Sequence, residues 1–374
     1  MRRIEAQGAD LADLAKDVLT WIVCAKRPLT ALELQHALAV ESGTAELDES
    51  NFTDVEDMIA ACCGLVTVDK GSNIIRAMHH TAESYLDRTW LQWFPAAEAT
   101  ITKLCLTYLS FRKFHTGACK TDDELRKRYQ EAPLFAYAAH YWGVHARQDG
   151  GSTSPVMAFL EFAPAVEAAS QALFVGELPH RSDGCAQSYP KHTTGLHLAA
   201  YFGLCGVVQL SLASMDLDIK DGNGRTPLSY ASQAGHDLVI QVLLERGASL
   251  AVKDKNDRIP LHFAASAGRE TATEILLGSG GVLDVNHQDK DGQTPLALAA
   301  QEGHTGTVEL LVNFPGVDAD VKDEEGLTPL AWASRNGHER VAELLLSGRD
   351  VNPNSETDDP WPGKIPTRIL FPST

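Results

Sequence analysis

Gly224-Arg225-Thr226-Pro227-Leu228 recurs in altered form along the second half of this 374-residue chain. Thr194-Gly195-Leu196, Ile259-Pro260-Leu261, Thr294-Pro295-Leu296 and Thr328-Pro329-Leu330 occupy the equivalent places. Their leucines, at 196, 228, 261, 296 and 330, are spaced by 32, 33, 35 and 34 residues. Self-similarity at such a period marks a stacked solenoid, in which each unit buries its apolar face against its neighbours. The second copy shows the chemistry. Asp221 and Gly222 shape a tight turn, Thr226 caps a helix, and Pro227 sits at its first turn, where a missing N–H costs nothing. Leu228, Ala231 and Ser232 face the next unit, and the small residues permit close helix packing. Gly235-His236 ends that helix. Val239, Val242, Leu243 and Leu244 line a second helix that stops at Gly247.

With its T-P-L-H-x-A-type start and its length, this unit resembles the ankyrin repeat. Five copies are expected over residues 191–354. The fourth and fifth follow the plan from Asp289 and Asp323. The third departs from it, with Asp257 in place of the turn glycine, Ile259 in place of the capping threonine and Arg269 in place of the histidine after Gly268. The first lacks the turn but keeps Leu196-His197-Leu198-Ala199-Ala200. Extra residues near Gly280-Gly281 and Phe314-Pro315 are expected in loops. His197, His236, His262, His304 and His338 fall where ankyrin proteins place structural histidines, and none forms a metal-type H-E-x-x-H pair.

Partners of ankyrin arrays meet the hairpin tips and the exposed, concave side of the first helices. The resemblance therefore implies contact by Asn223, Arg225 and Gln233 in the second repeat and by Lys255, Asn256, Arg258 and Ser266 in the third. Lys290, Asp291, Gln293, Gln301 and Glu302 follow in the fourth, then Glu324, Glu325, Leu327, Arg335 and Asn336 in the fifth. This surface runs from locally basic to mainly acidic, so a partner of complementary polarity would place its acidic end toward the third repeat.

Charge narrows the partners. The net charge is −18; residues 1–93 carry 8 Lys/Arg against 15 Asp/Glu, net −7, and residues 191–354 carry 13 against 22, net −9. Neither region has the basic footprint that phosphate contacts need, so direct nucleic-acid or anionic-membrane binding is not expected. There is no apolar stretch long enough for a membrane span and no signal-peptide core after Met1-Arg2-Arg3. Seven cysteines without a C-x-x-C pair fit reduced thiols in an intracellular setting, cytoplasm or nucleus. No glycine-rich phosphate loop, G-x-S-x-G or metal-ligand spacing occurs, so no cofactor, metal or catalytic residue is expected.

At the N-terminus, residues 10–25 read as an amphipathic helix with Leu11, Leu14, Ala15, Val18, Leu19 and Ile22 on one side. Pro28 breaks it, and Thr30-Ala31-Leu32-Glu33 is a capping box opening a second helix through about Val40. Thr53-Asp54-Val55-Glu56 opens a third, which Gly64 stops. Leu65–Val68 and Ile74–Met78 flank a Gly71-Ser72-Asn73 turn, a two-stranded hairpin. Three helices and a wing make a winged helix over residues 1–93. Its third helix offers Asp54, Glu56 and Asp57 and no cation, which opposes duplex binding.

Residues 94–148 read as a helical connector, with helices over 96–110 and 122–130 and a core cluster of Tyr137, Tyr141 and Trp142. Residues 149–155 read as a linker, with capping helices in 157–174, and 149–190 together lead into the array. Residues 355–374 form an irregular tail, in which Trp361, Ile369, Leu370 and Phe371 either cover the last repeat or leave an apolar edge to a partner. The fold class is mainly α: winged helix and helical connector, then an ankyrin solenoid.

Leu14–Ile22, Lys26–Thr30, Glu33–Ala39, Gly64–Val68, Leu106–Phe111, Tyr137–Gly143 and Thr194–Tyr201 resemble the segments that follow the NTPase domain in fungal NACHT–ankyrin, NLR-like proteins. No G-x-x-x-x-G-K-[ST] loop is present, so ATP hydrolysis is not carried over. The resemblance implies a non-enzymatic regulatory adaptor whose partner is a protein, such as an NLR-like NTPase. Two alternatives stand beside it: a coregulator of a fungal secondary-metabolite gene cluster that binds a transcription factor, and a truncated NLR-like fragment.

Overall fold

A computed structural model describes residues 1–148, 153–176, 184–211 and 216–347, and the chain is mainly helical. Two compact units divide between Gly195 and Leu196.

The first unit opens with α1 (Arg2–Glu5) and α2 (Ala9–Cys24), followed by β1 (Leu29–Thr30) and α3 (Ala31–Ala39). The capping box at the start of α3 is complete: Thr30 Oγ1 accepts from Glu33 N, and the Glu33 carboxylate accepts from Thr30 N at 2.8 Å. Arg27 holds the same carboxylate through Nη2 at 2.6 Å. Next come α4 (Val55–Ala61), β2 (Val66–Val68) and β3 (Ile74–Ala77). Asp69 accepts the N–H groups of Gly71 and Ser72 and so fixes the turn between β2 and β3.

Two expectations change here. The wing is three-stranded, in the order β1-β3-β2 and antiparallel throughout, because Leu29 and Thr30 extend after Pro28 and pair with Ile75 and Ile74. The buried face of α2 is rotated as well. Ala12, Ala15, Val18, Leu19 and Trp21 are buried, whereas Leu11 is 47% exposed, since small residues at 12 and 15 occupy the packed side. Asp54, which precedes α4, and Glu56 and Asp57 in its first turn are exposed.

After α5 (His80–Trp93), which buries only Leu86, the chain forms α6 (Ala97–Leu109), α7 (Asp122–Glu131) and α8 (Leu134–Gln148). Tyr137 and Trp142 are fully buried. A polar network spans these elements. The backbone N–H of Lys26 donates to Tyr137 Oη at 3.1 Å, Tyr137 Oη donates to His145 Nε2 at 2.8 Å, and His145 Nδ1 meets Glu98 Oε2. Lys26 Nζ donates to the other Glu98 oxygen at 2.8 Å. Burial favours a neutral Glu98, but hydrogen bonds from His145 and Lys26 outweigh it and hold its carboxyl below the usual range. Burial lowers the His145 pKa, against the opposing pull of Glu98.

The expected linker is shorter than residues 149–155. Residues 149–152 lie outside the described residues, and α9 (Thr153–Leu160) already begins at Thr153, before α10 (Ala163–Val175). Among the described residues no single helix is long and apolar enough to cross a membrane.

The second unit is built from helix pairs: α11 (Gly195–Phe202) with α12 (Cys205–Ser211), α13 (Pro227–Ala234) with α14 (Asp237–Glu245), α15 (Pro260–Ser266) with α16 (Glu270–Gly278), α17 (Pro295–Gln301) with α18 (Thr305–Val312), and α19 (Pro329–Arg335) with α20 (Glu339–Ser347). First helices α13, α15, α17 and α19 pack in series, and so do second helices α12, α14, α16, α18 and α20. Leu228, Leu261, Leu296 and Leu330 are buried, each worth about 2 kcal/mol of transfer free energy. Ala231, Ala264, Ala299 and Ala333 are fully enclosed where the helices meet. On α14 the buried face is Val239, Ile240 and Leu243, with Val242 and Leu244 half-buried. The segments around Gly280-Gly281 and Phe314-Pro315 lie between helices, as expected. Trp361, Ile369, Leu370 and Phe371 lie outside the described residues.

Candidate interaction surface

The array's turns repeat one device. Oδ1 of Asp221 accepts from Asn223 N and Arg225 N at 2.8 and 2.9 Å. Asp254, Asp289 and Asp323 do the same for the second and fourth residues after them. Each hairpin tip is thereby fixed by its own carboxylate. The tips are then joined by backbone: Lys255 N donates to Asn223 O at 2.8 Å, Lys290 N to Asn256 O at 2.9 Å and Glu324 N to Asp291 O at 3.0 Å. Glycine is required where this ladder passes. A Cβ on Gly292, whose φ is +75°, would lie 2.7 Å from Glu324 N.

Histidines bind the helix ends in the same serial manner. His236 Nε2 donates to Tyr201 O, His304 Nε2 to Ser266 O and His338 Nε2 to Gln301 O, at 2.9 to 3.1 Å. Their rings lie against Gly203, Gly268 and Gly303. Arg269 fills this role in the third repeat: its Nε donates to Gln233 O at 3.1 Å, and its stem lies on Gly235. The other two departures of that repeat are likewise absorbed. Asp257 takes the left-handed φ of +59°. His262 Nδ1 accepts from Ile259 N at 3.3 Å, tying the helix start from the other side in the absence of a threonine hydroxyl, while Nε2 donates to Gln293 O at 3.2 Å. Burial, only partly opposed by Asp289, pushes the His262 pKa down to about 4. His197 donates to Ile219 O and Arg225 O, and burial lowers its pKa too. These imidazoles serve as hydrogen-bonding struts.

What remains on the surface is the tips. Asn223, Lys255, Asn256, Lys290, Asp291, Glu324 and Glu325 are exposed, with Gln233, Glu302, Arg335 and Asn336 beside them on the first-helix side. Ser266 and Gln301 are half-buried. Gln293 and Leu327 are buried, at 7% and 8% exposure, and belong to the packing rather than to the displayed surface. Gln293 Nε2 donates to Gln301 Oε1 at 2.8 Å.

The two arginines also turn inward. Arg225 lies 4.5 Å over the Phe263 ring and donates to Gln233 Oε1. Arg258 Nε donates to the buried Asp289 Oδ2 at 2.9 Å. The basic end expected from sequence therefore shrinks: Arg225 and Arg258 are engaged within the array, and Lys255 and Lys290 carry the free positive charge of the tips.

Comparison with known proteins agrees with this geometry. Residues 196–286 and 281–355 match the family model for ankyrin repeats, and residues 3–93 match the winged-helix domain of GPI inositol-deacylase. The array is a stack of ankyrin repeats. An azaphilone pigments biosynthesis cluster protein (protein L) of Monascus ruber is 31% identical over 145 residues, covering 34% of this chain and 30% of that protein. The human ankyrin repeat and SAM domain-containing protein 3 is 46% identical over 57 residues, covering 15% of this chain and 9% of that protein. The chain thus spans less than a third of either relative's length. The ankyrin tips form its candidate protein-interaction surface.

Proposed function

We propose that the chain is a non-enzymatic, regulatory protein–protein interaction module that grips a partner segment along the ankyrin tips and the concave side of the first helices. One observation carries this reading. The carboxylates, imidazoles and arginines inside the repeats are spent on fixing the array, while a continuous row of tip side chains from Asn223 to Glu325 is held rigidly in solvent. A preorganised row of this kind binds with little ordering cost. Lys255 and Lys290 set its polarity, so the partner's acidic part lies over the third and fourth repeats. Direct nucleic-acid and membrane binding have no place in this reading, because the exposed face of α4 is acidic.

The winged helix followed by helices and ankyrin repeats favours an NLR-like signalling role, with an NTPase as partner. The pigment-cluster relative favours the second reading, a transcription coregulator that acts through a transcription factor in a fungal gene cluster. Both place the chain inside the cell, in keeping with seven unpaired cysteines. Affinity purification of the tagged full chain from its native cells, beside Lys255→Glu/Lys290→Glu, tests the proposal. A protein partner captured by the native chain and lost in the variant is the expected result, and its identity selects the role. Capture unaffected by the variant would remove the tips as the binding surface.

A further inference from the structure

The connector carries a feature that the ankyrin surface does not use. Residues 94–148 hold 8 Lys/Arg against 5 Asp/Glu, net +3, so the rest of the chain sums to −21. Much of the positive charge converges on one groove of about 450 Å³ between the turn at 112–120 and α7. Four cations line it, Lys113, Lys120, Lys127 and Arg128, against two acids, Glu124 and Glu131. Phe114 lines it and stacks on Phe135 behind, with centroids 4.5 Å apart. Arg128 lies 5.6 Å from both ring centroids, and Lys113 Nζ lies 5.3 Å from Phe114 and 5.1 Å from Tyr108. Rings hold these cations in place by cation–π attraction rather than neutralising them.

Arg128 is only partly satisfied. Its Nη2 donates to Thr116 Oγ1 at 3.3 Å, while Nη1 is buried with no hydrogen-bond partner. A buried guanidinium N–H without an acceptor is costly, and an anionic oxygen is its best partner. Lys127 has Glu131 at 3.6 Å, an exposed and weak pair.

We infer that this groove is a binding site for a short anionic peptide segment of a protein partner, whose oxyanions complete Arg128 and pair with Lys113, Lys120 and Lys127. Charge complementarity sets the size of the ligand. A long polyanion such as nucleic acid, or an anionic membrane, would extend from the groove over the rest of residues 1–195, which sum to −10, whereas a short segment stays within the positive patch. The site lies in the first unit and shares no residue with the ankyrin tips.

The test is fluorescence anisotropy of the full chain at low salt, with a labelled peptide of alternating Glu and Gly, its phosphoserine counterpart and a single-stranded oligonucleotide. Peptide binding is expected, weakened roughly tenfold by Lys120→Glu and by Arg128→Gln and falling with added salt. Lys120 is exposed, so its variant keeps the native melting temperature even if Arg128→Gln does not. Tighter binding of the phosphoserine peptide would identify phosphate as the natural oxyanion; equal or weaker binding would identify carboxylate. Failure of both peptides to bind, binding unchanged by Lys120→Glu, or preference for the oligonucleotide would overturn the inference.

Discussion

The winged-helix and connector unit and the ankyrin array are both helical, but they are held together by different rules. In the array each stabilising contact is copied from repeat to repeat and reaches no further than the neighbour: the aspartate that fixes its own tip, the tip-to-tip backbone bond, the imidazole against a glycine. In the first unit the decisive contacts occur once and join residues far apart in sequence. Lys26 meets Tyr137 and Glu98, and Glu98 meets His145. A copied contact can be lost in one repeat and replaced locally, as Arg269 shows. A unique one has no substitute.

The largest expected effect follows from that contrast. Glu98→Ala leaves His145 Nδ1–H without its acceptor and the Lys26 ammonium with only the neutral Gln148 Oε1, and breaking such a buried pair costs about 3 kcal/mol. Urea denaturation followed by tryptophan fluorescence should show this loss, since Trp21 and Trp142 lie in the first unit. A change below about 1 kcal/mol would mean that the network is peripheral to the fold.

Within the array, Gly292→Ala combines a left-handed φ with a Cβ pressed on backbone, and is expected to cost about 2 to 3 kcal/mol. Gly247→Ala, at φ +94° with nothing within 4 Å, should cost about 1 kcal/mol. Equal costs for the two would contradict the claim that the tip ladder is closely packed.

Acid should weaken both regions through their buried histidines, with His36 and His145 in the first unit and His197 and His262 in the array. Burial, reinforced by Lys113, holds the His36 pKa down to about 4, and burial does the same for His262. Because the unfolded chain takes up these protons first, near pH 6.5, the stability is fully present above 6.5. It is lost as pH falls from 6.5 toward 4. His36→Gln should flatten that dependence for the first unit and His262→Gln for the array. Parallel pH profiles for native chain and variants would remove these residues as the cause.

The same contrast explains what could be read in advance. A period of about 33 residues exposes the array, because each repeat restates its turn, cap and helix faces. The capping box at Thr30-Glu33 was legible too, being local. The strand at Leu29-Thr30 was not, since two residues carry no alternation and their partner is some 45 residues downstream. Nor was the Glu98–His145–Tyr137 network, whose members have no common spacing. On the candidate surface, Asn223, Lys255, Lys290 and Glu324 follow from their place at the tips. The inward turn of Arg225 and Arg258 depends on Phe263 and Asp289 in the next repeat, and the burial of Gln293 and Leu327 depends equally on neighbours. The one cue was that each arginine stands about 30 residues before the next repeat's turn aspartate, Asp254 or Asp289.

The smallest structural effect carries the functional claim. Lys255→Glu/Lys290→Glu changes only exposed tip side chains, so stability should move by less than about 0.5 kcal/mol. The decisive measurement is calorimetric affinity of the captured partner for the full native chain and for this variant at low salt. We predict roughly tenfold weaker binding by the variant with an unchanged melting temperature. Equal affinity for the two chains would contradict the assignment of the ankyrin tips as the partner-binding surface.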